Sequence, residues 1–163
     1  MENLFIKSLG INDLEELLKI RMEVLSNVFA LEKKDMSKED WEAIRRENEI
    51  YYREELEKNG HFAIAIYDGE NFVGSGGLCL YKELPSPDNM SGKCAYLMNI
   101  YVRKEYRRRG IAAKICNKLI DKAKREGIKK IYLESSEMAV NLYKSLGFEE
   151  MNGYFKLNML KCN

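Results

Sequence analysis

A chain of 163 residues suits one domain and suffices for a sizeable hydrophobic core. With 45% hydrophobic and 33% charged residues and only two prolines, its composition excludes a disordered chain. A formal net charge of +1 argues against holding nucleic acid or a membrane surface through overall charge.

No apolar run approaches the roughly 18 residues of a membrane span. The first residues, MENLFIKSLG, lack the basic start and long apolar stretch of a secretory leader, so a cytoplasmic protein is expected. Cys79, Cys94, Cys116 and Cys162 include no C-x-x-C pair and there is one histidine, which speaks against a structural zinc site. Cys79, Cys94 and Cys116 fall inside apolar patterns and are expected as reduced thiols.

Leu4–Leu9 reads as a first strand. Asn12 or Asp13 is placed to cap a helix running to about Ala30, whose apolar positions Leu14, Leu17, Leu18, Val24, Leu25 and Val28 follow helical spacing. Arg21 interrupts that stripe. Its head either finds a carboxylate while its stem packs, or points a charge into a pocket. Ser37 followed by Asp40 resembles a capping signal for a second helix over about 38–58, with Trp41, Ile44, Tyr51, Tyr52 and Leu56 on one side and Asn59-Gly60 as its stop.

His61–Tyr67 and Phe72–Leu80 flank Asp68-Gly69-Glu70-Asn71, a hairpin signal. Gly74, Gly76 and Gly77 in the second arm suggest a bulge or a close backbone approach. Residues 82–93 hold both prolines and form a surface loop. Cys94–Val102 is a strand, Gly110–Arg125 a helix and Ile128–Leu133 a strand, which makes a βαβ unit with parallel strands. Glu137–Leu146 is a short helix ended by Gly147. Phe148–Met151 and Tyr154–Leu160 are expected to form a last hairpin around Asn152-Gly153.

The junction after Val102 carries the chemistry. A helix N-terminus presents backbone N–H groups without internal partners and a partial positive charge, which suits phosphate or pyrophosphate. Here Arg107, Arg108 and Arg109 add charge, and Gly110 lets the backbone approach a ligand. The segment is neither a P-loop nor a three-glycine dinucleotide fingerprint.

The stretch YLMNIYVRKEYRRRGIAAKI resembles the R/Q-x-x-G-x-G/A acyl-CoA motif of the GNAT (GCN5-related N-acetyltransferase) superfamily, with Ala112 at the last small position. The later Asn141-Leu142-Tyr143-Lys144-Ser145-Leu146-Gly147-Phe148 resembles that family's N-x-x-Y helix ending in Gly-Phe. The order of strands and helices resembles the family from end to end. The resemblance implies one domain over 1–163 with a mixed α/β fold. Its twisted, mostly antiparallel sheet would have six to seven strands, including a splayed parallel pair, flanked by about four helices.

By the same resemblance, acetyl-CoA is the co-substrate, bound where the strands at 95–102 and 129–134 part. Backbone groups of Ile100, Tyr101 and Val102 would pair with the pantetheine arm. The N–H groups from Arg108 through Ile111 to Ala112 would hold the pyrophosphate, with charge-assisted bonds from Arg107, Arg108 and Arg109. The implied reaction is direct transfer of acetyl to a primary amine in a ternary complex. Ile100 N–H would serve as oxyanion donor, Tyr143 as proton donor to the thiolate, and Asn141 would order a water or the pantetheine amide.

The general base is not fixed by any motif. Glu134, Glu49 and His61 are candidates by type, with Glu134 ranked first because it ends a strand beside the expected cleft. Arg21, Glu49 and Asn99 are the candidate acceptor contacts, and the acceptor is a small-molecule or peptide amine of unspecified identity. No metal, nucleic acid or membrane is expected as a partner, and a homodimer is left open. The competing readings are a non-catalytic acyl-CoA-binding regulatory module and a nucleic-acid module using residues 103–109. Near-zero net charge and the lack of interleaved stacking aromatics disfavour the latter.

Overall fold

A computed structural model describes residues 3–31 and 36–159, the side chains of 29–31 excepted. Cys162 and the end of the expected last hairpin lie outside that range. Five strands form one sheet in sequential order: β1 (Leu4–Leu9), β2 (His61–Asp68), β3 (Asn71–Lys82), β4 (Lys93–Val102) and β5 (Lys130–Tyr132). The first four run antiparallel, and β5 joins β4 in parallel. Four helices cover the faces: α1 (Leu14–Leu31), α2 (Lys38–Glu57), α3 (Ile111–Arg125) and α4 (Val140–Ser145).

The alternation along β2 sorts the two faces. Ile64 and Ile66 meet Val73, Leu78, Leu97 and Val102 under Ile111, Ile115, Leu119 and Ala123 of α3. The intervening Ala63 and Ala65 meet Leu14, Leu17, Leu18, Ile20 and Val24 of α1 and Tyr52 of α2. Small alanines on that face let two helices approach the sheet, whereas the branched residues on the other fill the space beneath one. Cys94 and Cys116 are buried, and Cys79 is half-buried; all three carry free thiols.

Ser37 caps α2 as expected, its hydroxyl accepting from Asp40 N–H at 3.1 Å. The start of α1 differs from expectation. Asp13 turns back to accept from Gly10 N–H at 3.0 Å within a 3₁₀ turn over Ile11–Asp13. Val28 is 43% exposed and so departs from the buried stripe expected of it, which includes Val24 and Leu25. The last helix begins as a 3₁₀ turn over Glu137–Ala139, and α4 itself is six residues long.

The expected sixth and seventh strands are absent among the described residues. The turn at Asn152–Gly153 forms, with Gly153 at φ 82°, but neither arm pairs. Tyr154, Phe155, Leu157 and Met159 are 68–95% exposed. A two-residue turn holds a hairpin only when one face of the arms packs on a core, and these side chains meet none.

Candidate active site

β4 and β5 pair only at Cys94↔Lys130, Ala95↔Ile131 and Tyr96↔Tyr132. Beyond Tyr96, β4 continues to Val102 with its β5-side edge unpaired among the described residues, while β3 still pairs along the other edge. The stretch from Ile100 to Val102 lies on that edge, and an open strand edge is where an extended chain can add as a further strand.

β4 is also kinked. The β3–β4 register shifts between Ser75 and Gly77, and Asn99 takes a left-handed conformation, φ 56°. Such a bulge re-aims the residues around it. The Asn99 side chain meets α1, where Arg21 Nη1 donates to its Oδ1 at 2.8 Å. Gly76 lies directly under α3: a Cβ there would strike Ile115 Cγ2, with Ile100 Cδ1 and Leu119 Cδ1 at 2.8 Å. The glycines of β3 thus let α3 and the bulged β4 close over it.

After Val102 the chain turns through Lys104–Tyr106 and reaches Arg107, Arg108, Arg109 and Gly110, all exposed. Arg108 has φ 64° and Gly110 φ 73°, and Gly110 caps α3. Left-handed residues just before a helix turn successive N–H groups toward one point, adding to the field of the helix terminus. Arg107 Nε donates to Val102 O at 2.9 Å, and Arg109 donates to Glu105 O at 2.9 Å with its guanidinium over the Tyr106 ring. Arg103 is committed elsewhere, to Glu23 of α1. Glu23, Asn27, Tyr101, Arg103 and Arg107 line an open cavity of about 350 Å³ at this end of β4. A hollow of about 450 Å³ between Ile11–Glu16 and Arg53 contains none of the candidate site residues.

Tyr143 of α4 is 8% exposed and belongs to the α3-side core, its ring edge-on to Phe148 at 5.8 Å. Burial, with a smaller push from the neighbouring Cys116 thiol, raises its phenol to about 12, so it is a protonated donor at neutral pH. Asn141, two residues earlier, is exposed.

The candidate bases separate. Glu134 lies two residues past the end of β5 and is exposed, beside Tyr96. Glu49 is engaged along α2 with Arg53 at 2.7 Å and Arg45 at 3.8 Å. His61 is 7% exposed, and its Nδ1 lies 3.1 Å from Tyr51 Oη. Burial lowers its pKa to about 4, so the imidazole is neutral at pH 7.

Of the three acceptor candidates, Arg21 and Asn99 touch and Glu49 does not join them. Asn48 was missed by the sequence reading. Arg21 Nε donates to its Oδ1 at 3.1 Å. An asparagine inside a helix, one turn before the Tyr51-Tyr52 pair, is the only signal that singles it out. Among the described residues no group of three or more His, Cys, Asp and Glu side chains is arranged to hold a metal ion, and no helix is long and apolar enough to cross a membrane.

A parallel pair that parts ahead of an arginine-flanked helix start makes a cleft with an anion-binding end. The acetyltransferase (GNAT) family model matches residues 23–148, and the chain belongs to that family. It is similar in structure to a predicted acetyltransferase with acetyl-CoA from Clostridium acetobutylicum, at 21% identity over 97% of each chain with a TM-score of 0.84. It is similar to an aminoglycoside acetyltransferase from an uncultured soil metagenomic sample, at 18% identity over 95% of each chain and a TM-score of 0.69. It is also similar to glucosamine-6-phosphate N-acetyltransferase from Arabidopsis thaliana, at 21% identity over 96% of this chain and 99% of that one, with a TM-score of 0.67. No curated protein matches the chain at a significant level.

Proposed function

We propose that this protein transfers the acetyl group of acetyl-CoA to a primary amine by direct attack within a ternary complex. The observation that carries the reading is the unpaired edge of β4 running into the Arg107–Gly110 turn, where Arg108 and Gly110 are left-handed before α3. The pyrophosphate would lie on the N–H groups from Arg108 through Ile111 to Ala112, with the arginine side chains around it. The pantetheine arm would run antiparallel or parallel along Ile100–Val102, leaving the thioester beside the bulge at Asn99.

A neutral amine then attacks the thioester carbonyl. The C–N bond forms, the tetrahedral oxyanion collapses, and the C–S bond breaks. Ile100 N–H would face the oxyanion, and Tyr143 would deliver a proton to the departing thiolate. Asn141 would order a water or the pantetheine amide from its exposed position. Glu134 is the base candidate that best combines exposure with proximity to the splay. His61 is buried, and Glu49 is held by two arginines.

The family relatives include transferases acting on aminoglycosides and on glucosamine 6-phosphate, and a small-molecule amine acceptor accords with both. The test is release of free thiol from acetyl-CoA in the presence of a panel of amines. Amine-dependent thiol release supports the reading. Acetyl-CoA binding without release for any amine would favour a regulatory acyl-CoA-binding module.

A further inference from the structure

Arg21 stands where α1, α2 and β4 meet, and it is half-buried. Its two contacts, Asn48 Oδ1 and Asn99 Oδ1, are neutral amide oxygens, so they orient the guanidinium without cancelling its charge. Tyr51, Tyr52 and His61 face it. Burial raises both phenols, and burial keeps the imidazole neutral at pH 7.

Among the described residues no carboxylate pairs with Arg21. The acidic groups nearby on these helices are engaged: Glu23 with Arg103, Glu49 with Arg53, and Glu55 with Lys58. A half-buried guanidinium whose protein partners are neutral retains its full charge for a ligand anion, which would add a charge-assisted bond. The planar fork, held at Nε and Nη1 by the two asparagines, is preorganised for a carboxylate or a phosphate.

We propose that Arg21, fixed by Asn48 and Asn99, is an anion subsite of the acceptor pocket, and that the acceptor is an amine carrying a carboxylate or phosphate group. The inference rests on the proposed placement of the thioester beside Asn99 and Ile100, because Arg21 touches that bulge. The subsite disfavours a polycationic acceptor and favours one whose charge is balanced by an acidic group close to the reacting nitrogen.

The probes are inorganic phosphate and succinate, added at constant ionic strength to protein saturated with acetyl-CoA, so that the basic turn is already filled. Thermal unfolding is the readout. The expected result is a rise of about 3–5 °C at ten times the dissociation constant in the wild type. Arg21→Gln should lose that rise, and Arg21→Lys should keep part of it. No anion-dependent rise in the wild type, or an equal rise in Arg21→Gln, overturns the inference while the transferase reading stands. Failure of acetyl-CoA itself to shift the melt counts against the transferase reading. The anion subsite is then judged on the ligand-free protein, by the same difference between wild type and Arg21→Gln.

Discussion

Arg103 and Glu23 form two parallel hydrogen bonds of 2.7 Å each, joining the end of β4 to α1. The first arginine after the strand is therefore a structural tie, and the proposed phosphate site is left to Arg107–Arg109. Arg103→Ala should leave acetyl-CoA affinity within about threefold while lowering stability by about 1 kcal/mol, as expected for a partly exposed bidentate pair. Arg108→Ala should weaken acetyl-CoA about tenfold or more through loss of a charge-assisted contact. Calorimetric titration and thermal melts of the two variants distinguish the roles. Equal losses of affinity would mean that Arg103 breaks from Glu23 to reach the ligand.

Tyr143→Phe removes the proposed proton donor while keeping the aromatic ring. Turnover should fall about 100-fold, within the range of a lost general acid, with acetyl-CoA affinity nearly intact. Because burial raises the phenol to about 12, no alkaline loss of rate from Tyr143 is expected between pH 7 and 10. A collapse of affinity with an unchanged residual rate would show that the ring packs the cofactor instead of serving the chemistry.

Gly76→Ala places a methyl against Ile115, Ile100 and Leu119 in the closed space between β3, β4 and α3. The strain of an overpacked core should cost about 1–3 kcal/mol, read as a fall in midpoint of about 2–10 °C. Gly110→Ala meets no neighbour within 4 Å, and its cost is conformational, about 1–2 kcal/mol for a left-handed residue. Near-ultraviolet circular dichroism separates the two, since only the first should disturb packing signals.

His61 is neutral in the folded protein down to about pH 4, whereas in the unfolded chain it protonates near 6.5. Its folded pKa is depressed, so its contribution to stability is complete above pH 6.5 and is lost as pH falls toward 4. The span corresponds to about 3 kcal/mol for this buried ring. His61→Asn should flatten the pH dependence of the melting midpoint between pH 6.5 and 4. A slope as steep as the wild type's would place the acid sensitivity in other groups.

Much of this architecture was legible in the chain. The period-2 pattern of β2 and the apolar stripe of α3 fixed their faces, and the Gly74–Gly77 cluster marked the close approach beneath α3 and β4, although the extra residue of the bulge lies on β4 opposite Gly76. The helix start at Gly110 was legible because only a few residue types tolerate φ 73°.

The final hairpin was misread because an Asn-Gly turn is a local signal, and whether its arms become strands depends on a core that sequence alone does not display. Asn99 escaped as a bulge residue because asparagine enters the left-handed region without a glycine's signature. Arg21 was recognised as out of place in its stripe, but its partners lie 27 and 78 residues away, and nothing local indicated that both would be amides. The base remains a matter of position: Glu134 follows β5, but no local pattern distinguishes a base from a surface carboxylate.

Calorimetric titration of the purified protein with acetyl-CoA, in parallel with dephospho-CoA and ATP, asks whether the edge of β4 and the Gly110 turn hold the cofactor. Saturable binding of acetyl-CoA is expected, with weaker binding of the other two and loss of acetyl-CoA binding in Gly110→Glu, whose carboxylate would occupy the proposed phosphate position. Absence of acetyl-CoA binding at millimolar concentration, or wild-type affinity in Gly110→Glu, would contradict that assignment.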